Sequence, residues 1–125
     1  MTYVLIIDDD PMVRNMLIQF FALDGYQTTG ASNGKEALRM YRDNPADLVV
    51  TDMIMPEMDG IETIQAVRRE NPDAKIIAIS GGGRNSPNDY LVLAEHFGAD
   101  RTFTKPIECK ALVAAARELL SCNSR

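Results

Sequence analysis

The feature that most constrains this chain is a set of short runs that are apolar on both faces: Tyr3 to Ile7, Leu48 to Thr51 and Lys75 to Ile79. They are rich in Val and Ile and do not alternate with polar residues, which fits strands buried on both sides in a parallel sheet. Between them apolar residues recur at helical spacing: Val13, Leu17 and Phe20 with Phe21; Ala37, Leu38 and Tyr41; Ile61, Ile64 and Val67. Strand and helix therefore alternate. That order predicts a parallel sheet covered on both faces by helices, joined by right-handed crossovers.

Capping signals agree. Asp10 with Pro11, and Ser86 with Pro87, read as an N-cap followed by the first helical position, and Asn33 reads as a further N-cap. Gly25, Asn44 with Pro45, and Asn71 with Pro72 stand where helices end. Five βα units result, with strands near 3–7, 26–31, 47–52, 75–79 and 101–104 and helices near 11–24, 33–43, 60–71, 87–97 and 107–121. Residues Tyr26 to Ala31 carry Thr28, Thr29 and Gly30, and so read as an edge strand.

With 125 residues and 46% hydrophobic content, one compact domain over 1–125 is expected, with a core over about 3–121 and no attached output domain. No apolar stretch approaches the roughly 20 residues that span a bilayer. The start, Val4 to Ile7 followed by three aspartates, lacks the plan of a signal peptide. Cys109 and Cys122 fall on one predicted helix, about 20 Å apart, too far for an intrachain disulfide, which fits a reducing cytoplasm. A formal charge of −5 argues against tracking a nucleic-acid backbone, and the Arg68 and Arg69 pair reads as a solvated helix face.

In an open parallel sheet, ligands bind outside the carboxyl ends of the strands. Here those ends carry Asp8, Asp9 and Asp10; Asp52; Ser80 before Gly81, Gly82 and Gly83; and Lys105 with Pro106. Carboxylates gathered in one cleft repel one another unless a cation sits among them. Oxygen donors without His or Cys suit Mg²⁺, and Lys105 and Ser80 would face phosphate oxygens from the other side. Phosphoryl transfer needs little beyond such positioning and charge neutralisation. Taken singly, Asp10 is an N-cap, Ser80 a turn hydroxyl and Lys105 a loop cation; four strand ends converging on one edge favour the chemistry.

The chain resembles the receiver domains of two-component response regulators over about residues 3–121. The residues that carry the likeness are the apolar strand into Asp8 and Asp9, the run Asp52, Met55, Pro56, Met58, Asp59 and Gly60, the Ser80 position, and Lys105 with Pro106. The resemblance implies a doubly wound, flavodoxin-like three-layer sandwich with strand order 2-1-3-4-5. It implies that Asp52 accepts a phosphoryl group from a phosphohistidine on a sensor histidine kinase or histidine phosphotransfer protein. Asp9, Asp52 and the Ile54 carbonyl would ligate Mg²⁺, with Asp8 acting through water. Ser80 and the Gly81 amide would hold phosphoryl oxygens, Lys105 would pair with carboxylate or phosphate, and the peptide before Pro106 would be cis. The product is a switched docking surface for a downstream protein, in a monomer that is not a turnover enzyme and binds neither nucleic acid nor membrane.

Three departures shape the expectations. Thr102 stands where the family often has an aromatic switch residue, and the adjacent Phe103 should point to the other face of its strand. The loop from Gly81 to Asn88 is long and glycine-rich. Ile54 and Gly82 supply no polar group to orient an attacking water, so slow self-dephosphorylation is expected. Ile54 also argues against a haloacid-dehalogenase-type enzyme, which places a second Asp there. The run Gly81 to Gly83 lacks the position and spacing of a dinucleotide loop. A receiver that is never phosphorylated would typically lack part of the acceptor set, which is complete here.

Overall fold

The computed structural model describes residues 2–53, 59–81 and 87–121. Its elements run β1 (Tyr3–Ile7), α1 (Pro11–Leu23), β2 (Gln27–Ala31), α2 (Gly34–Asp43), β3 (Leu48–Asp52), α3 (Gly60–Glu70), β4 (Lys75–Ser80), α4 (Pro87–Phe97), β5 (Arg101–Thr104) and α5 (Cys109–Ser121). All pairings are parallel and the sheet order is β2-β1-β3-β4-β5. The predicted units are all present, and β2 lies at an edge.

The topology explains where each helix goes. With crossovers of one hand, the step from β1 to β2 runs one way across the sheet and the steps to β3, β4 and β5 run the other. α1 must therefore cover one face and α2, α3 and α4 the opposite one. Alternate strand residues sort accordingly. Val4, Ile6, Leu48, Val50, Ile77 and Ile79 pack with Leu17 and Phe21 of α1 and with Leu112, Val113 and Ala116 of α5. Tyr3, Leu5, Ile7, Val49, Ile76 and Ala78 pack with Ala37 and Tyr41 of α2, Ile64 and Val67 of α3 and Ala94 of α4. The strands lack alternation in sequence because both faces are core. No helix among the described residues is long and apolar enough to cross a membrane.

Local signals set the boundaries. Asp10 caps α1 by accepting from the Met12 amide, Asn33 caps α2 through the Glu36 amide, and Gly25 follows α1 at φ +96°. Asp59 and Glu62 form a reciprocal capping box at the start of α3. The last helix begins at Cys109, two residues later than the spacing predicts. The Glu108 carboxylate accepts from the Lys110 and Ala111 amides, which makes Glu108 the cap and holds Ile107 outside the helix. Ser86 and Cys122 lie outside the described residues. Gly30 sits where α1 crosses β2, and a Cβ there would lie 2.9 Å from Ile18 Cδ1.

β5 resolves the switch position. Phe103 packs into the α1/α5 side of the core, while Thr102 pairs with Ala78 and so belongs to the other side. The aromatic ring therefore points away from the α4 side.

Arg68 corrects the reading of a solvated basic pair. Its guanidinium donates to the Gly98 carbonyl at 2.6 and 3.1 Å, to the Pro72 carbonyl at 3.0 Å, to the Ala74 carbonyl, and to Asp100 at 3.0 Å. Asp100 in turn accepts from the Ile76 amide. One side chain thus ties the end of α3 to the start of β4 and the α4–β5 turn, whereas Arg69 is exposed. Arg68→Ala should cost about 2–3 kcal/mol in urea denaturation, because several charge-assisted bonds disappear together. Arg68→Lys should recover less than half of that loss, since an ammonium cannot reproduce the fork; full recovery by Lys would show that charge alone matters.

Candidate functional site

The strand order reverses at β1, so the ligand crevice lies between the carboxyl ends of β1 and β3. Asp8 and Asp9 follow β1, and Asp52 is the last residue of β3. Asp8 is 2% exposed and Asp52 6%, while Asp9 is open to solvent. One carboxylate oxygen from each lies within 4.8 Å of the others. Strand pairing alone brings together residues 44 positions apart.

Backbone contacts hold the two buried carboxylates. The Asp8 amide donates to the Ala31 carbonyl, the Asp8 carbonyl accepts from Arg14 Nη1 at 2.8 Å, and its Oδ1 accepts from the Asp10 amide at 2.9 Å. Asp10 itself is occupied as the α1 cap, as read from its position before Pro11. Asp52 Oδ1 accepts from the Met53 amide at 2.9 Å. Gly60 presses on the same peptide: a Cβ there would fall 2.6 Å from the Asp52 carbonyl oxygen and from Met53 Cα. α3 can begin this close to the end of β3 only because the residue has no side chain.

β4 and the segment after β5 complete the site. Lys105 Nζ stands 3.6 Å from Asp8 Oδ2 and 3.5 Å from Asp52 Oδ2, shared between them. The Lys105 amide donates to the Ser80 carbonyl at 2.9 Å, and the Lys105–Pro106 peptide is cis, as the resemblance implies. Gly81 is the floor under the lysine stem, since a Cβ there would lie 2.9 Å from Lys105 Cγ. Ser80 is fully buried, and its Oγ has no hydrogen-bond partner among the described residues. A buried hydroxyl without a partner is costly and rare, and here it sits at the carboxyl edge beside the lysine.

The electrostatics follow from burial. Desolvation pushes the Asp52 carboxyl up to about 6, and the neighbouring Asp8 pushes in the same direction. Asp8 is also raised, chiefly by burial. Lys105 lowers both, but one ammonium shared by two carboxylates does not offset their loss of water. Three oxygen ligands in this state fit a hard divalent cation such as Mg²⁺, whose charge would relieve the repulsion.

The structure thus brings Asp8, Asp9, Asp52, Ser80, Gly81 and Lys105 to one edge. Ile54, Met55, Pro56, Met58, Gly82 and Gly83 lie outside the described residues. The sequence reading assigned no part to Arg14 or to the Met53 amide, and none to Gly60 beyond its place in the motif. Arg14 is the only charge on α1, a signal that could have marked it.

The chain is similar to known proteins in both sequence and fold. The family model described as the response regulator receiver domain matches residues 4–117. The chain is 35% identical to the chemotaxis protein CheY of Thermotoga maritima, over 93% of this chain and 95% of that one. It is 34% identical to the response regulator MprA of a Mycobacterium species, where it covers 97% of this chain but 51% of the relative. A receiver domain protein from Clostridium thermocellum superposes with a TM-score of 0.89 at 27% identity, covering 97% of this chain and 95% of that one. A CheY-like receiver domain from Methanospirillum hungatei gives 0.89 at 25% identity, with 97% and 94% covered. The chain spans nearly all of the first relative and about half of the second. With the family model covering most of its length and the buried acidic edge in place, the chain belongs to the response regulator receiver domains of two-component signalling.

Proposed function

We propose that Asp52 is the phosphoacceptor, receiving a phosphoryl group from the phosphohistidine of a sensor histidine kinase or histidine phosphotransfer protein. The observation that carries this is the pairing of a buried, hard-to-ionise Asp52 with a shared Lys105 and a Ser80 hydroxyl that lacks a partner among the described residues. Receiver domains as a family bind Mg²⁺, are phosphorylated on aspartate, and are not turnover enzymes. In this chain Asp8, Asp9 and Asp52, with the Ile54 carbonyl, would hold the ion, which neutralises the carboxylates and the oxygens in transfer.

An Asp52 carboxylate oxygen attacks phosphorus, the P–N bond to the imidazole breaks, and the ring nitrogen keeps the electron pair. Lys105 and the Ser80 hydroxyl, with the Gly81 amide, take up charge on the phosphoryl oxygens, so the site acts by preorganised electrostatics. Ser80 Oγ, which has no partner among the described residues, gains one in an arriving phosphoryl oxygen. That gain supplies differential affinity, which a conformational switch requires. With Thr102 in place of an aromatic, the movement passes to the glycine run after Ser80 and to α4, giving an altered docking face for a downstream protein in the cytoplasm. Ile54 and Gly82 leave hydrolytic water unoriented, and the phosphorylated state is long-lived.

Incubation with Mg²⁺ and acetyl phosphate should add one phosphoryl group by intact mass, and Asp52→Asn should add none. Labelling of that variant at the wild-type level sinks the assignment. Ser80→Ala should fold at least as stably as the parent, since it removes an unsatisfied buried hydroxyl, yet label roughly tenfold to a hundredfold more slowly.

The raised Asp52 pKa also predicts a pH dependence. The folded, metal-free protein holds this proton up to about pH 6, whereas the unfolded chain releases it near the ordinary carboxyl value of 3.8. The folded state therefore binds more protons in that window, and stability falls as pH rises through it. In EDTA, Asp52→Asn should be more stable than the parent at pH 7 by about 2–3 kcal/mol, with the difference closing below pH 4. Added Mg²⁺ should stabilise the parent more than the variant; equal shifts would place the ion elsewhere.

A further inference from the structure

We infer that Arg14 is a positioning residue for the divalent-cation site: it fixes the Asp8–Asp9 peptide, which carries two of the three clustered carboxylates, and Gly30 on β2 keeps open the slot in which its side chain lies. The inference rests on the reading of Asp8, Asp9 and Asp52 as the Mg²⁺ site.

Arg14 follows three consecutive aspartates, yet its side chain pairs with none of their carboxylates. Among the described residues its guanidinium makes one hydrogen bond, from Nη1 to the Asp8 carbonyl oxygen at 2.8 Å, and no ion pair. That choice separates two tasks. A guanidinium seated on Asp8 or Asp9 would take the oxygens that a cation needs. Bound to the carbonyl, it leaves those oxygens free and holds the backbone that carries them.

The two aspartates depend on this bond to different degrees. Asp8 has other supports, since its amide donates to the Ala31 carbonyl at 3.1 Å and its Oδ1 accepts from the Asp10 amide at 2.9 Å. Asp9 is open to solvent, and no hydrogen bond from a described residue reaches its carboxylate. Backbone must therefore aim it. The peptide is planar, so fixing the Asp8 carbonyl oxygen also fixes the nitrogen and Cα of Asp9. A group outside the ligand set that orients a ligand in this way tunes the affinity for the ion.

Gly30 is a second, independent sign. It lies within β2 opposite Ile6, at no positive φ, so its conformation does not call for glycine. What calls for it is space. A Cβ there would stand 3.0 Å from Arg14 Cδ and 3.1 Å from Arg14 Cγ, besides 2.9 Å from Ile18 Cδ1. A glycine inside a strand often marks such a close approach. The edge strand thus supplies the groove along which the arginine stem reaches the site.

Calorimetric titration with Mg²⁺, without any phosphodonor, tests this on the whole chain. Arg14→Met keeps the stem and removes the donor, and should raise the Mg²⁺ dissociation constant roughly tenfold. The sign is decisive, because loss of a positive charge beside the site would by itself tighten cation binding. Arg14→Lys keeps a donor for the single carbonyl and should return the constant to within about threefold of the parent. Gly30→Ala should also weaken binding, but should add nothing once Arg14→Ala has removed the stem it displaces. Urea denaturation in EDTA shows that each variant folds; should Arg14→Met not fold, Gly30→Ala carries the test. An Arg14→Met variant that binds Mg²⁺ as tightly as the parent, or tighter, overturns the inference, even if its stability is lower. So does a Gly30→Ala loss that persists in full on the Arg14→Ala background. A parent that binds no Mg²⁺ overturns the reading of the site as well, whereas a parent that binds beside an unchanged variant overturns only the role of Arg14.

Discussion

Two carboxylates buried side by side with one ammonium between them are the constraint on which the rest of this structure depends. Asp8 and Asp52 are both nearly dry, and Lys105 stands about equally far from each. Without a further cation the arrangement is unfavourable, since desolvation and mutual repulsion act in the same direction on Asp52. The fold sustains it through backbone: amides of Asp10 and Met53 donate to the two carboxylates, and the central β1 and β3 strands fix their separation. A site held away from its electrostatic optimum responds strongly to an arriving cation or phosphoryl group.

Glycine and serine make that site compact. Gly60 lets α3 start against the Asp52 peptide, and Gly81 lets the Lys105 stem cross β4's end, so two elements approach closer than any Cβ would permit. Ser80 is the complementary case, a polar atom buried without a partner among the described residues. On the function proposed above, its cost in the resting state would become binding energy for a phosphoryl oxygen. The local rule broken at Ser80 and the rule kept at Gly81 serve the same few ångströms of space.

α1 shows how one helix serves two ends. Its inward side fills the core with Leu17 and Phe21, its sole charge reaches Asp8, and its outward side is uncharged and carries four exposed large apolar side chains. The site and the exposed side chains Met12, Met16, Phe20 and Leu23 thus share an element.

Much of this was legible in the sequence. Runs apolar on both faces imply buried parallel strands, and a strand that ends in Asp, Ser or Lys must deliver that group to the carboxyl edge, because the pattern is local. The same holds for Asp10 and Asn33, whose caps depend on neighbours within three residues. What the sequence could not show are quantities that depend on who packs against whom. Arg68 reads as surface charge until the α4–β5 turn folds back onto it. The start of α5 is a different case, since the Glu108 cap rests on amides two and three residues away and is as local as the others. The raised pKa of Asp52 exists only once strand pairing sets Asp8 beside it in a dry crevice. Residue type and spacing determined the parts and the edge they share; burial and distance, which belong to the tertiary structure alone, decided their charge states and their missing partners.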